Sequence, residues 1–187
     1  MSEDQKKLLE AQLWGIANLL RGKVSADDYR DYILGFIFYK YLSEKQVIYA
    51  NHLLEGEKVT DYTKVTDPEI LDAIKEESLI TLGYFLLPHE LISAIAAKGN
   101  ADQKSESNYI LEDLQQVLNH IEQSTMGTES EEDFNSLFDD IDLNSTKLGK
   151  TVGTRNSLIV QILNYLNKID FKLDEVEDDV LGDAYEY

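Results

Sequence analysis

The sequence predicts an all-α protein, a multi-helix bundle with room for one short strand or hairpin around residues 79–87. Three observations carry this reading. Proline occurs only at positions 68 and 88, apolar residues recur mostly at intervals of three and four, and helix-start signals stand ahead of the apolar runs. Leu9, Leu13, Ile16 and Leu20 form one stripe of a first helix, which should close near Arg21-Gly22 because glycine suits the position past a helix end. Trp14, beside that stripe, is expected as a core or core-edge anchor. Ser25 with Asp28 three residues on marks the next helix start, and Asp27-Asp28 sit where the helix dipole favours carboxylates. From Tyr29 the run YRDYILGFIFYKYL is apolar almost all round. A surface helix could not tolerate that, so this helix should be the buried centre.

Asp67-Pro68 opens a short helix expected through Ile74, and SLITLGYFLLP is rich in β-formers and bounded by Pro88, hence the strand or hairpin. KGNADQKSES, residues 98–107, is a polar break and the best internal boundary. Ile110, Leu114, Val117, Leu118 and Ile121 mark a further amphipathic helix. A polar linker, residues 122–133, and an apolar cluster of Phe134, Leu137, Phe138 and Ile141 follow. Thr154 can cap a helix with the stripe Leu158, Ile162, Tyr165, Leu166 and Ile169. Leu173, Val176, Val180, Ala184 and Tyr187 continue a helical spacing to the last residue, so the chain reads as the N-terminal piece of something longer.

With 17 basic against 36 acidic residues the net charge is -19. That argues against a general nucleic-acid coat or a binder of anionic membranes, while a local basic patch could still touch DNA. No cysteine is present, which removes thiolate zinc sites and cysteine nucleophiles and fits a reducing cytoplasm. The charged opening MSEDQKK is no signal peptide. The most apolar stretch, Tyr32 to Leu42, is about half a bilayer span and carries Lys40, so no membrane segment is expected.

Chemistry-bearing patterns are weak. His52, His89 and His120 lack metal-site spacing. Gly149-Lys150-Thr151 resembles the end of a phosphate loop, but Asn144 stands where its first glycine belongs. Asp140, Asp142 and Asn144 have the first spacings of a calcium loop, but Ser145 and Thr151 replace its glycine and closing glutamate. No nucleophile elbow or dinucleotide loop occurs. By itself the chain does not read as an enzyme, and neither a catalytic, cofactor-binding nor metal residue is assigned.

The segments LWGIANLLRGKVSADDYRDYILGFIFYKYLSEK (13–45), FDDIDLNSTKLGKT (138–151) and DVLGDAYEY (179–187) together carry a resemblance. They resemble the N-terminal helical domain of the modification (M) subunit of type I restriction-modification enzymes: a Leu-Trp start, a Leu-Arg-Gly turn, an acidic-Tyr helix start, an apolar helix ending in Lys-Tyr-Leu-Ser, and a closing join to the next domain. Residues 55–130 match least specifically. The resemblance implies a parent that is an adenine-specific DNA methyltransferase using S-adenosylmethionine, with its catalytic domain after residue 187. It also implies a specificity subunit, a second M subunit and a restriction subunit as partners, with DNA in the assembled enzyme. This domain would then serve subunit assembly and clamping around DNA. The family's cofactor site and Asn/Asp-Pro-Pro-aromatic motif lie beyond it, so no catalytic residue carries over. A methyltransferase acting on a base must take it out of the stack, which is easier when the protein surrounds the duplex. The candidate DNA contacts are basic residues beside turns: Arg21 and Lys23 flanking Gly22, and Lys147, Lys150 and Arg155 around Gly149 and Gly153, supported by Thr151, Thr154 and Asn156. The charge alone leaves an alternative, a free-standing acidic helical adaptor or DNA-mimic inhibitor.

Overall fold

Leu9, Leu13, Ile16, Ala17 and Leu20 bury one side of helix α1 (Glu3–Leu20). The chain turns through Gly22, whose φ of +78° is the left-handed conformation that glycine adopts without strain. Ser25 then caps α2 (Ala26–Leu53) by accepting from the Asp28 amide at 3.2 Å. The computed structural model describes residues 3–101, 109–134 and 137–171. The expected helix over residues 173–187 lies outside them. Seven α-helices are found among the described residues: α1, α2, α3 (Pro68–Thr81), α4 (Ile92–Asn100), α5 (Leu111–Ser124), α6 (Glu131–Phe134) and α7 (Val152–Asn167).

Asp67 caps α3 through the Glu69 amide at 2.9 Å, with Pro68 in the first turn where its missing N–H matters least. The helix runs seven residues past the expected end at Ile74. Residues Leu79 to Thr81 are therefore helical, and no strand or hairpin forms over 79–87. Leu82 and Gly83 leave the helix with their amides on the Ser78 carbonyl, at 2.7 and 3.1 Å, and Gly83 turns the chain at φ +82°. The extended stretch that follows hydrogen-bonds to side chains of α2 instead of to a second strand. The Gln46 carbonyl oxygen accepts from the Leu86 amide at 3.0 Å, and Ser43 Oγ accepts from the Ile92 amide at 3.1 Å. Tyr39, Tyr62 and Tyr84 donate their hydroxyls to the carbonyls of Glu90, Leu86 and Leu42. A buried backbone needs partners but not a sheet to supply them.

The centre of the molecule is shared by α2 and α7. Leu158, Ile159, Val160, Ile162, Leu163 and Leu166 bury α7 on most of its circumference, and this helix packs against α1, α2, α4 and α5. Asn100 and Asn164 exchange amide hydrogen bonds between α4 and α7, and the Asn156 side chain accepts from the Ile110 amide at 2.7 Å ahead of α5. Residues on both sides of the polar break at 98–107 thus belong to one hydrophobic cluster, from Leu9 to Phe171. No helix among the described residues is long and apolar enough to cross a membrane.

Trp14 departs from expectation. It is 56% exposed, because it follows Leu13 by one residue, which turns it about 100° away from the buried stripe.

Candidate nucleic-acid interface

The loop between α6 and α7 is built from short polar side chains bonding to nearby backbone. Asp142 Oδ1 accepts from the Asn144 amide at 2.9 Å and Ser145 Oγ from the Lys147 amide at 3.3 Å, while Leu148 is fully buried and pins the loop to the core. The Asp140-Asp142-Asn144 spacing therefore ends in an Asx turn. Thr151, not Thr154, caps α7, accepting from the Thr154 amide at 3.1 Å, so the helix starts three residues earlier than expected. The threonine of the Gly149-Lys150-Thr151 triplet is spent on that cap.

Three contacts fasten this loop to the first turns of α2. The Tyr32 hydroxyl donates to the Asp142 carbonyl at 2.5 Å, Lys147 Nζ lies 3.6 Å from Asp28 Oδ2, and Ile141 lies over Gly35. A Cβ at Gly35 would stand 2.2 Å from Ile141 Cδ1, so a larger residue there would require the Ile141 side chain to move. Burial, then the Asp142 carboxylate, push the Tyr32 hydroxyl up to about 12, so it stays a neutral donor.

The structure thus brings Lys147 to the helix start that directly follows the Arg21-Gly22-Lys23 turn. Arg21, Lys23 and Lys150 are exposed and in no ion pair among the described residues. Lys147 is exposed but faces Asp28. Arg155 is half-buried and donates from Nη1 to the Gly149 carbonyl at 3.0 Å, and its Nε is buried without a partner. Its structural work is to hold the loop. Asn156 is buried and belongs to the core through Ile110.

Two pockets with charged groups in their walls escaped the sequence reading. One, of about 450 Å³, lies between α2, Leu91-Ile92 and the end of α7. Lys40 and Glu44, four residues apart, pair there at 3.7 Å. Glu44 Oε2 also accepts from the Phe171 amide at 3.3 Å, and its Oε1 is buried; the Asp170 carboxyl lies beside Glu44 and favours its protonated form. Burial pushes the Glu44 carboxyl up to about 7 despite Lys40. The other pocket, about 340 Å³, holds His89, Glu90, Lys98, Asp113 and His120. His120 Nδ1 lies 2.7 Å from the buried Glu90 carboxylate, and Lys98 pairs with Asp113. His89 and His120 thus meet in one groove, while His52 pairs with Glu55. No group of three metal-capable side chains is found among the described residues. Helical spacing could have signalled Lys40–Glu44; nothing in the sequence relates Glu44 to Asp170 or Glu90 to His120.

Residues 9–166 match the model of the HsdM N-terminal domain. The chain belongs to that family. It is 30% identical to the type I restriction enzyme MpnII methylase subunit of Mycoplasma pneumoniae, over 98% of its own length and 34% of that protein. It also superimposes on the crystal structure of the type I restriction-modification system methyltransferase subunit from Streptococcus thermophilus with a TM-score of 0.77 and 32% identity, over 97% of this chain and 37% of that one. This HsdM N-terminal domain therefore spans about a third of the length of the relatives it matches. The all-α fold and the family expected from residues 13–45, 138–151 and 179–187 are those found; the match covers the first two segments, and the third lies outside the described residues.

Proposed function

We propose that this HsdM N-terminal domain is the helical front of a type I modification subunit, and that it serves assembly and DNA clamping, not catalysis. The parent enzyme would be an adenine-specific DNA methyltransferase using S-adenosylmethionine. Its partners would be a specificity subunit, a second M subunit and a restriction subunit. The observation that carries this is the family match over residues 9–166, together with the fastening of the loop that carries Lys147 and Lys150 to the start of α2, which follows the Arg21-Gly22-Lys23 turn. Loops pinned to a rigid helix can hold cations in register with phosphates, leaving base reading to another polypeptide.

The arrangement sorts the five candidate contacts. Arg21, Lys23 and Lys150 are free to meet phosphate, Lys147 would exchange Asp28 for it, and Arg155 shapes the loop. The test uses the assembled enzyme and the variants Arg21→Glu, Lys23→Glu and Lys150→Glu. Each lost phosphate contact should flatten the dependence of log affinity on log salt by about 0.9. Charge reversal that leaves this slope unchanged removes the residue from the interface.

A further inference from the structure

The exposed indole of Trp14 needs an explanation, because large apolar groups on a soluble surface carry information when their surroundings are organised. Lys7, Trp14 and Arg21 are spaced seven residues apart, within about 20° of one line along the helix and about 10 Å from one to the next. The Arg21 amide still bonds to the Ala17 carbonyl at 3.0 Å, so Arg21 continues the helical turn. Ala11 and Asn18, both exposed, lie beside this line and are too small to screen the ring. Lys23 follows past Gly22, where a Cβ would meet nothing within 4 Å and the backbone can be approached.

Charge is distributed to match. Residues 1–24 hold four basic and three acidic residues, a net +1, while the remaining 163 hold 13 against 33, a net -20. Lys7, Arg21 and Lys23 are exposed and in no ion pair among the described residues. A face meant for a partner helix would repeat apolar anchors at positions 7, 11, 14 and 18. Here Lys, Ala, Trp and Asn stand at those positions. One aromatic ring between cations is the composition of a stacking platform for single-stranded nucleic acid.

We propose that Trp14 is a stacking platform for an unpaired nucleobase, with Lys7 on one side and Arg21 and Lys23 on the other holding the flanking phosphates. This rests on the DNA-contacting reading above and adds to it a strand state, single rather than double, and two residues, Trp14 and Lys7.

Trp14 is the sole tryptophan, so its emission reports on this face alone. The 187-residue chain suits the measurement because one hydrophobic cluster runs through it from Leu9 to Phe171. A twelve-nucleotide oligothymidylate, titrated at low ionic strength, should quench Trp14 saturably, and the same-length duplex should quench several-fold less. Lys7→Glu and Arg21→Glu should each weaken the single-strand titration several-fold and lower its salt slope by about 0.7. Trp14→Ala, at an exposed position, should keep the circular dichroism spectrum and bind the oligonucleotide several-fold more weakly, as read by anisotropy of a labelled strand. Absence of quenching, equal quenching by duplex, or indifference to both charge reversals overturns the proposal. So does a concentration-dependent blue shift of Trp14 without nucleic acid, which would make the face a protein contact. A failure here, with the Lys23→Glu and Lys150→Glu effects intact in the assembled enzyme, leaves the clamping reading standing and removes only the stacking platform.

Discussion

Glu44 is held in a place that favours its proton. Burial pushes its carboxyl up to about 7, and the Asp170 carboxyl beside it favours its protonated form, while Lys40 acts in the opposite direction. A carboxyl that titrates higher when folded binds its proton more tightly in the native state. Its contribution is therefore complete below the unfolded value near 4.5, declines as pH rises to about 7, and is level above that. The span corresponds to roughly 3 kcal/mol as an upper bound. Glu44→Gln supplies a permanent donor toward Asp170 and keeps an acceptor for the Phe171 amide. The difference in unfolding free energy between the variant and the parent, followed by urea denaturation from pH 4.5 to 8, should grow in favour of the variant as pH rises. A difference that stays constant with pH would mean that Glu44 does not titrate in this window. At this scale the sequence was legible where a residue acts on its neighbours in the chain, as Ser25 does on Asp28. It was silent where the partner is distant, as with Glu44 and Phe171 or Tyr32 and Asp142. Trp14 was misread for a related reason: composition places tryptophan in cores, and only the helical phase relative to Leu13 turns it outward.

The elements that were legible are those that carry their own signals: the Ser25 and Asp67 caps, the Gly22 turn, the apolar stripes of α1, α5 and α7, and the run of α2 that is apolar almost all round. The segment from Leu82 to Leu91 was not, because its composition favours a strand and its partners are side chains remote in sequence. Gln46 is the centre of this arrangement. Fully buried, it donates from Nε2 to Ser78 Oγ at 3.0 Å and accepts from the Leu86 amide at 3.0 Å, joining α2 to the end of α3 and to the extended stretch. Gln46→Leu would fill the space and leave the Leu86 amide without a partner in the core. A buried donor so orphaned costs about 1–3 kcal/mol. The denaturation midpoint should fall accordingly. A double-mutant cycle with Ser78→Ala should then show coupling of about 0.5–1 kcal/mol, since Ser78 loses one bond of several that hold this corner. Additivity within about 0.3 kcal/mol would indicate that Gln46 and Ser78 contribute independently.

At the scale of the molecule, α7 determines whether the chain behaves as one unit. The polar break at 98–107 has the composition of a boundary, but α4 before it and α5 after it both pack against α7, and α7 also packs against α1 and α2. A chain divided near residue 100 would have to expose Val160, Ile162, Leu163 and Leu166, all buried at 2% exposure or less. Each such side chain contributes about 1.5–3 kcal/mol by its burial, more than a small unit can forgo when total stability is about 5–15 kcal/mol. Leu163→Ala should therefore cost about 2–5 kcal/mol and act everywhere at once. Hydrogen exchange followed by mass spectrometry would show the amides of α1, α2, α4 and α5 losing protection by the same factor as those of α7, because all would exchange through a common global opening. If α2 keeps its parental protection while α5 and α7 lose theirs, the molecule contains two cooperative units and the 98–107 break separates them.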